Sequence, residues 1–348
     1  MIALVTGGAG YFGTVLRQRL RERAPGGAGS ATVRTLDLVS PDDLAAGEEF
    51  VQGDIRDPAA VGRACAGVAV VHHNVAQVPL AKDRHLFESV NVTGTEILLS
   101  AARAAGVRKV VYTSSSAVFG APRVNPVTEE TPPRPAEAYG RAKYEGERRC
   151  LAAVANGLDV TIVRPRTILG HGRLGIFQIL FEWVRSGYNI PVLGRGDNRY
   201  QFVHADDLAA ACIKAAERPG PALYHCGTDR FGTMRETLEA LCRHAGTGSQ
   251  VRGVPYAPAV WGMKLTSALG LSPLGPYHAL MYGRSMYFDL GRITRELDWH
   301  PKYSNQEMFV ESYEWYLKNR ERVLATSGAS LHRSKVKQGA LAVVRRLL

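Results

Sequence analysis

Apolar residues in the first two-thirds of the chain fall into two alternating kinds of run. Short, nearly unbroken apolar runs occupy residues 2–6, 32–37, 49–53, 68–72, 109–112, 160–164 and 223–226. Between them lie stretches with apolar positions three and four residues apart, as at 11–23, 86–105, 138–155, 175–185 and 204–216. The first kind suits strands buried on both faces, and the second suits amphipathic helices. Their alternation predicts an α/β fold with a doubly wound parallel (Rossmann) sheet. Beyond Gly227 the alternation stops. Helical sequence rich in Tyr, Trp, Pro and Gly predicts a smaller, mainly C-terminal substrate-binding part. The expected division is 1–175 plus about 200–226 for the Rossmann domain, about 176–199 and 227–318 for the substrate domain, and 319–348 for a basic tail.

The first strand runs into Gly7-Gly8-Ala9-Gly10-Tyr11-Phe12-Gly13, inside which the first helix begins. A strand, a glycine turn and a helix start make an anion cradle. Glycine lets the backbone approach a pyrophosphate, and the helix offers free N–H donors. The second strand ends in Asp37, 24 residues after Gly13, against about 20 in the usual dinucleotide fingerprint. A Pro-Gly-Gly-Ala-Gly-Ser loop accounts for the excess. An acid there accepts bonds from the adenosine ribose and repels a 2′-phosphate, so NAD is expected over NADP; otherwise Asp37 is a turn-forming acid. Asp54, at the third strand end, accepts from an adenine amino group or else caps the helix near Pro58. The pair His72-His73 invites a metal reading. Adjacent strand residues face opposite ways and no ligand cluster is near in sequence, so no metal is expected.

The fifth strand ends in hydroxyls, Thr113-Ser114-Ser115-Ser116, and the helix at 138–155 carries Tyr139 and Lys143 one turn apart. An ammonium beside a phenol lowers a pKa that starts near about 10. With a strand-end hydroxyl, the pair can take or return an alcohol proton while hydride moves elsewhere. Alone, Tyr-x-x-x-Lys reads as a surface pair; the glycine turn upstream favours the chemical reading. Residues 122–135 hold five prolines and predict a loop over the site.

Net charge is +11, and part of it is local: from Leu331 onward there are five Lys/Arg and no acid. Val336, Ala340, Val343, Val344 and Leu347 fall on one helical face, with Lys335, Arg345 and Arg346 opposite. That pattern suits an anionic membrane surface or a solvated terminal helix. The five cysteines show no Cys-x-x-Cys spacing and read as buried thiols in a reducing compartment. The chain opens on a strand and holds no apolar run of about 18 residues. A cytoplasmic location is expected, peripheral to the inner membrane face if the tail binds it, and no nucleic-acid partner.

With these residues in hand, the chain resembles the extended short-chain dehydrogenase/reductase family, in its NAD-dependent epimerase/dehydratase branch, from Ile2 to about Tyr316. The motifs are Thr6 to Gly13, Gly53-Asp54-Ile55-Arg56-Asp57, Ser114 to Gly120, Tyr139-Gly140-Arg141-Ala142-Lys143, Arg164-Pro165 and Phe202 to Leu208. The resemblance implies Tyr139 as acid/base, Lys143 as its partner and a ligand of the nicotinamide ribose, and Ser115 as the catalytic hydroxyl, with Ser116 as the neighbouring alternative. It implies that Gly7, Gly10, Tyr11, Phe12 and Gly13 hold the pyrophosphate, Asp37 the ribose, and Asp54 with Ile55 the adenine. Asn74, Val75, Ala76, Asn91, Ser114 and Pro165 complete the cofactor wall. A homodimer through the helices containing Asn91 and Tyr139 is also implied.

The chain departs from the family's pattern at informative places. Dehydratases of this branch carry an Asp-Glu pair where Ser116 and Ala117 stand here, which argues against dehydration. Sugar-nucleotide epimerases have Asn at the position of Thr167 and a diphosphate-binding Arg at that of Tyr200. Arg195, Arg199 and Arg284 are the candidate substitutes, and Gln77 joins Ser116, Thr167 and Tyr200 as expected substrate contacts. The leading expectation is an epimerase of a nucleotide sugar, a UDP-sugar at C4 favoured. The alternatives are a hydroxysteroid-dehydrogenase-like oxidoreductase acting on a hydrophobic or lipid-linked alcohol, and a silent NAD-binding regulator.

Overall fold

The computed structural model describes residues 1–23, 32–78, 84–173, 175–269 and 282–325. The tail helix expected at 333–348 lies outside them. The strands are β1 (Ile2–Thr6), β2 (Thr32–Asp37), β3 (Glu49–Gln52), β4 (Val68–His73), β5 (Lys109–Thr113), β6 (Val160–Pro165), β7 (Thr167–Leu169), β8 (Ile190–Leu193), β9 (Phe202–His204), β10 (Ala222–Cys226) and β11 (Val251–Val254). Seven of them form one parallel sheet in the order β10-β6-β5-β4-β1-β2-β3, while β7 pairs with β9 and β8 with β11. All seven strands of the sheet coincide with the apolar runs read from the sequence. The short parallel pairs do not stand out there, since strands of three or four residues carry little period to detect.

Adjacent residues of the central strands serve different cores, as the pleat requires. Leu4, Val110 and Ile162 pack in one cluster with helices α2 (Pro58–Cys65) and α4. Val5, Val111 and Val163 pack in another with helices α1 (Tyr11–Glu22) and α7. Here α4 is Gly94–Ala104 and α7 is Ala205–Glu217. A third core gathers Phe177, Phe181 and Trp183 with Tyr200, Leu241, Phe309 and Tyr316. Its long closing helix, Asn305–Ala325, buries Val323. The boundary expected at 319 therefore falls inside a packed helix.

Two further expectations are corrected. The helix foreseen at 86–105 is α3 (Arg84–Glu88), a π-helical turn at Ser89–Thr93, and α4. Gly94 begins α4 where a Cβ would stand 2.7 Å from Ile55 Cγ2. The proline-rich loop does not cover the cavity. Val127 N–H donates to the Tyr287 carbonyl at 2.8 Å and the Val127 carbonyl accepts from Asp289 N–H at 2.9 Å, so the loop is zipped to the 286–289 segment. None of its residues lines the cavity.

Candidate active site

The winding reverses between β1 and β4, and a cavity of ≈ 730 Å³ opens at their carboxyl ends. Open α/β sheets bind ligands at that crevice. The glycine turn forms one end. Gly7 has φ +71°, a left-handed conformation that glycine adopts without strain. A Cβ on Gly13 would stand 2.1 Å from the Gly7 carbonyl oxygen and 2.7 Å from Gly8 Cα, both rigid backbone. Overpacking of this kind costs about 1–3 kcal/mol, so Gly13→Ala is expected to weaken NAD retention by about tenfold or more. Nicotinamide content of denatured extracts checks it; wild-type content in a folded variant refutes it.

Asp37 accepts from Ala9 N–H at 2.9 Å and Leu38 N–H at 2.7 Å, so the acid is tied to the glycine turn and lines the cavity. Asp54 does not cap a helix. It pairs with Arg56 (Oδ2 to Nη2, 2.5 Å), and that bond holds its carboxyl below the usual range. The cap of α2 is Asp57, which accepts from Ala59 N–H at 2.9 Å. Asn74 accepts from the Thr113 hydroxyl at 2.6 Å, joining the tips of β4 and β5. Tyr11, Phe12, Ile55, Val75, Ala76, Gln77, Ser114, Ser116, Pro165 and Thr167 line the same cavity.

At the other end, helix α5 (Ala138–Ala155) is capped by Glu137, whose carboxylate accepts from Tyr139 and Gly140 N–H at 2.8 and 2.6 Å. That cap sets Tyr139 in the first turn. Gly140 lets the helix approach the strand tip, because a Cβ would stand 2.4 Å from the Ala117 carbonyl oxygen. The Ser115 side chain thereby hydrogen-bonds that of Tyr139, while Ser115 Oγ also accepts from Ala117 N–H at 3.1 Å. Lys143 Nζ donates to the Thr113 carbonyl at 2.7 Å.

Burial changes the expected electrostatics. It pushes the Tyr139 phenol up to about 12, against the lowering effects of the Ser115 bond and the Arg173 charge. Burial also pushes Lys143 down to about 8. Arg173, a residue of the cavity wall, thus adds its charge to the surroundings of the Tyr139 phenol.

Five expected contacts lie elsewhere. Asn91 does not line the cavity; its amide accepts from Gln77 N–H at 2.7 Å and donates to the Gln77 carbonyl at 3.1 Å, fixing a segment that does. Tyr200 is buried and stands behind Thr167, hydroxyl to hydroxyl at 2.9 Å. Arg195, Arg199 and Arg284 are exposed and line no part of the cavity. Arg199 instead stacks over Phe231 and Tyr287. The arginines in the wall near Thr167 are Arg166 and Arg173, joined by Phe177 and Tyr282. Sequence reasoning missed them. The one signal was a second charged residue, Arg166, close after Arg164 in the run that continues β6 into β7.

The two adjacent histidines are core residues. His73 bonds Thr6 Oγ1 at 2.8 Å and Thr95 Oγ1 at 3.0 Å, and burial pushes it down to about 3. His171, His204 and Glu311 bring ligand atoms within 4.8 Å of one another. Yet His204 Nδ1 accepts from Asp206 N–H at 3.1 Å. Its Nε2 therefore carries the proton and donates to Glu311 at 2.7 Å. That bond staples the helix Asn305–Ala325 to the end of β9.

Comparisons with known proteins agree with this geometry. The sequence profile of the NAD dependent epimerase/dehydratase family matches residues 3–227. An uncharacterised protein of Sinorhizobium fredii, y4nG, is 54% identical over 98% of this chain and 85% of its own. The UDP-glucose 4-epimerase of Mycolicibacterium smegmatis is 30% identical over 91% of this chain and 98% of its own. Among solved structures, the dTDP-glucose 4,6-dehydratase DesIV of Streptomyces venezuelae, with NAD bound, superposes with a TM-score of 0.74 at 29% identity, covering 92% and 98% of the two chains.

Proposed function

The chain belongs to the NAD-dependent epimerase/dehydratase family, and on that premise we propose that it inverts a carbinol centre of a nucleotide sugar, with a UDP-sugar at C4 as the favoured substrate. One observation carries the choice of reaction. Among the described residues, the acids lining the cavity, Asp37 and Asp54, both lie at the glycine-turn end, and no carboxylate lines it beside Ser115 and Tyr139. Expelling water from a sugar needs an acid and a base at neighbouring carbons. Ser116 and Ala117 supply neither, which leaves oxidation and return.

The residues present fit NAD. The turn around Gly7, Gly10 and Gly13 is cleared of side chains for a pyrophosphate, at the N-terminus of α1. Asp37 stands ready for ribose hydroxyls, and Asp54 with Ile55 for the adenine. When bound, NAD supplies reversible hydride acceptance, so that the carbinol passes through a ketone. With the Ser115 bond and the Arg173 charge favouring its phenolate, Tyr139 takes the hydroxyl proton and returns it. Ser115 bonds the same substrate oxygen and steadies the phenol. Lys143 of α5, whose Nζ reaches the end of β5, presents its charge to the nicotinamide ribose. A homodimer through α4 and α5 completes the reading, with Leu151 of α5 57% exposed.

The test is an epimer-interconversion assay on purified protein with no added cofactor. Two C4-epimeric UDP-sugars are expected to equilibrate from either side, with NAD recovered from the denatured protein and no NADH accumulating. NADH formed in proportion to product would overturn epimerisation in favour of a net dehydrogenase.

A further inference from the structure

The helix that follows β11, Tyr256–Ala268, carries an apolar face left open among the described residues. Trp261 is 76% exposed, Leu265 61%, and Leu269, one residue past the helix end, 62%. Spaced four residues apart, they line one side of the helix over about two turns. Ala257 and Pro258 extend that side toward the helix start and are exposed too. Four of the ten large apolar residues exposed among the described residues fall within 256–269. Apolar surface kept in water costs free energy, and a concentrated patch of it marks a contact surface.

The charge around this face has mainly one sign. From residue 240 to residue 288 the sequence holds no Asp or Glu, against the four cations Arg243, Arg252, Lys264 and Arg284. Exposed arginines gather near the helix start. Gly194 N–H donates to the Val254 carbonyl at 2.8 Å, two residues before the helix, which brings Arg195 close. The Tyr256 ring packs so tightly on Gly283 that a Cβ there would collide with it, which brings Arg284 close. Arg195, Arg252 and Arg284 are exposed and make no ion pair among the described residues; the exposed acid in the turn of Arg195 is Asp197. Arg195 and Arg284 are two of the arginines that the cavity does not use.

We propose that this face docks on the surface of an anionic lipid bilayer, with Trp261, Leu265 and Leu269 entering the headgroup boundary and Arg195, Arg252 and Arg284 meeting the lipid phosphates. A bilayer surface takes both features at once. Trp and Leu settle where apolar and polar layers meet, and cations within a Debye length are drawn to anionic lipid. A second copy of this chain suits the face less well, because a two-fold contact sets each cation against its own kind. The five Lys/Arg beyond Leu331, with no acid among them, favour the same anionic surface. The helix starts against Gly283, next to Tyr282 of the cavity wall, so docking sets that wall beside the bilayer. The inference does not depend on which substrate the cavity takes.

The experiment is co-sedimentation of the full chain with vesicles of phosphatidylcholine, alone or mixed with phosphatidylglycerol. The protein is expected to bind the anionic vesicles about tenfold or more tightly than the neutral ones. Trp261→Glu combined with Leu265→Glu is expected to weaken that binding by about tenfold or more. Melting temperature and NAD content should stay at the wild-type level, since both side chains are exposed and lie outside the cavity. Brominated acyl chains are expected to quench a part of the tryptophan emission that Trp261→Phe lacks. A wild type that stays in the supernatant with anionic vesicles overturns the proposal. Equal pelleting of the wild type and the folded double variant, or equal quenching of the wild type and Trp261→Phe, removes this helix from the contact and leaves the basic tail. An oligomer that the double variant breaks, with no pelleting of either protein, assigns the face to a second copy and overturns the membrane reading.

Discussion

Tyr139→Phe is expected to lower kcat by about 10²- to 10⁴-fold, the usual worth of a positioned acid/base group, with the melting temperature and NAD content unchanged. The lost atom is one hydroxyl at the end of a ring that stays packed against Phe87, 6.2 Å between centroids. No other described residue at that end of the cavity is placed to take over the proton. Ser115 is a poor base, Lys143 is engaged with the Thr113 carbonyl, and no carboxylate among the described residues lines that end of the cavity. Steady-state turnover with the true substrate, beside a melting curve, checks it. Full activity in a folded variant would remove Tyr139 from the mechanism.

Glu147→Ala is expected to destabilise the fold by about 3–5 kcal/mol, the cost of leaving one member of a buried ion pair alone. Glu147 and Arg164 are both buried and face each other in a two-bond pair. Arg164 already leaves Nη1 unbonded, so loss of the carboxylate strands the whole guanidinium. Glu147 also accepts from Ser114 Oγ at 2.5 Å, one residue before the catalytic hydroxyl. The variant should therefore lose turnover as well as stability. Denaturant unfolding measures the first effect. Replacing both partners, Glu147→Leu with Arg164→Met, is expected to recover most of the stability, because no buried charge then lacks a partner. A double variant as unstable as the single one would place the defect in packing and not in charge.

Glu147 also shows where sequence reasoning stops. It sits in the middle of α5, four residues past Lys143, and reads as an ordinary helical acid. Only the arrival of β6 beside β5 brings Arg164 to it. The same holds for Asn91, whose partner is Gln77 and not a ligand, and for Arg166 and Arg173. Their charges act on Tyr282 across more than a hundred residues of chain. The register that offered Arg195, Arg199 and Arg284 counted positions along the chain, while the structure leaves those three outside the cavity.

What the residue order determined is whatever depends on neighbours within a turn or a strand. Seven apolar runs specified the seven strands of the sheet. Glycines after the first specified a cradle, because only a residue without Cβ survives 2.1 Å from a carbonyl oxygen. Tyr139 and Lys143 share a face because four residues make about one turn. What only the tertiary structure decided is which charges meet and which stay buried. The phenol stands near 12 and the ammonium near 8 because folding takes them out of water. Desolvation and long-range pairing depend on three-dimensional surroundings that no local period encodes.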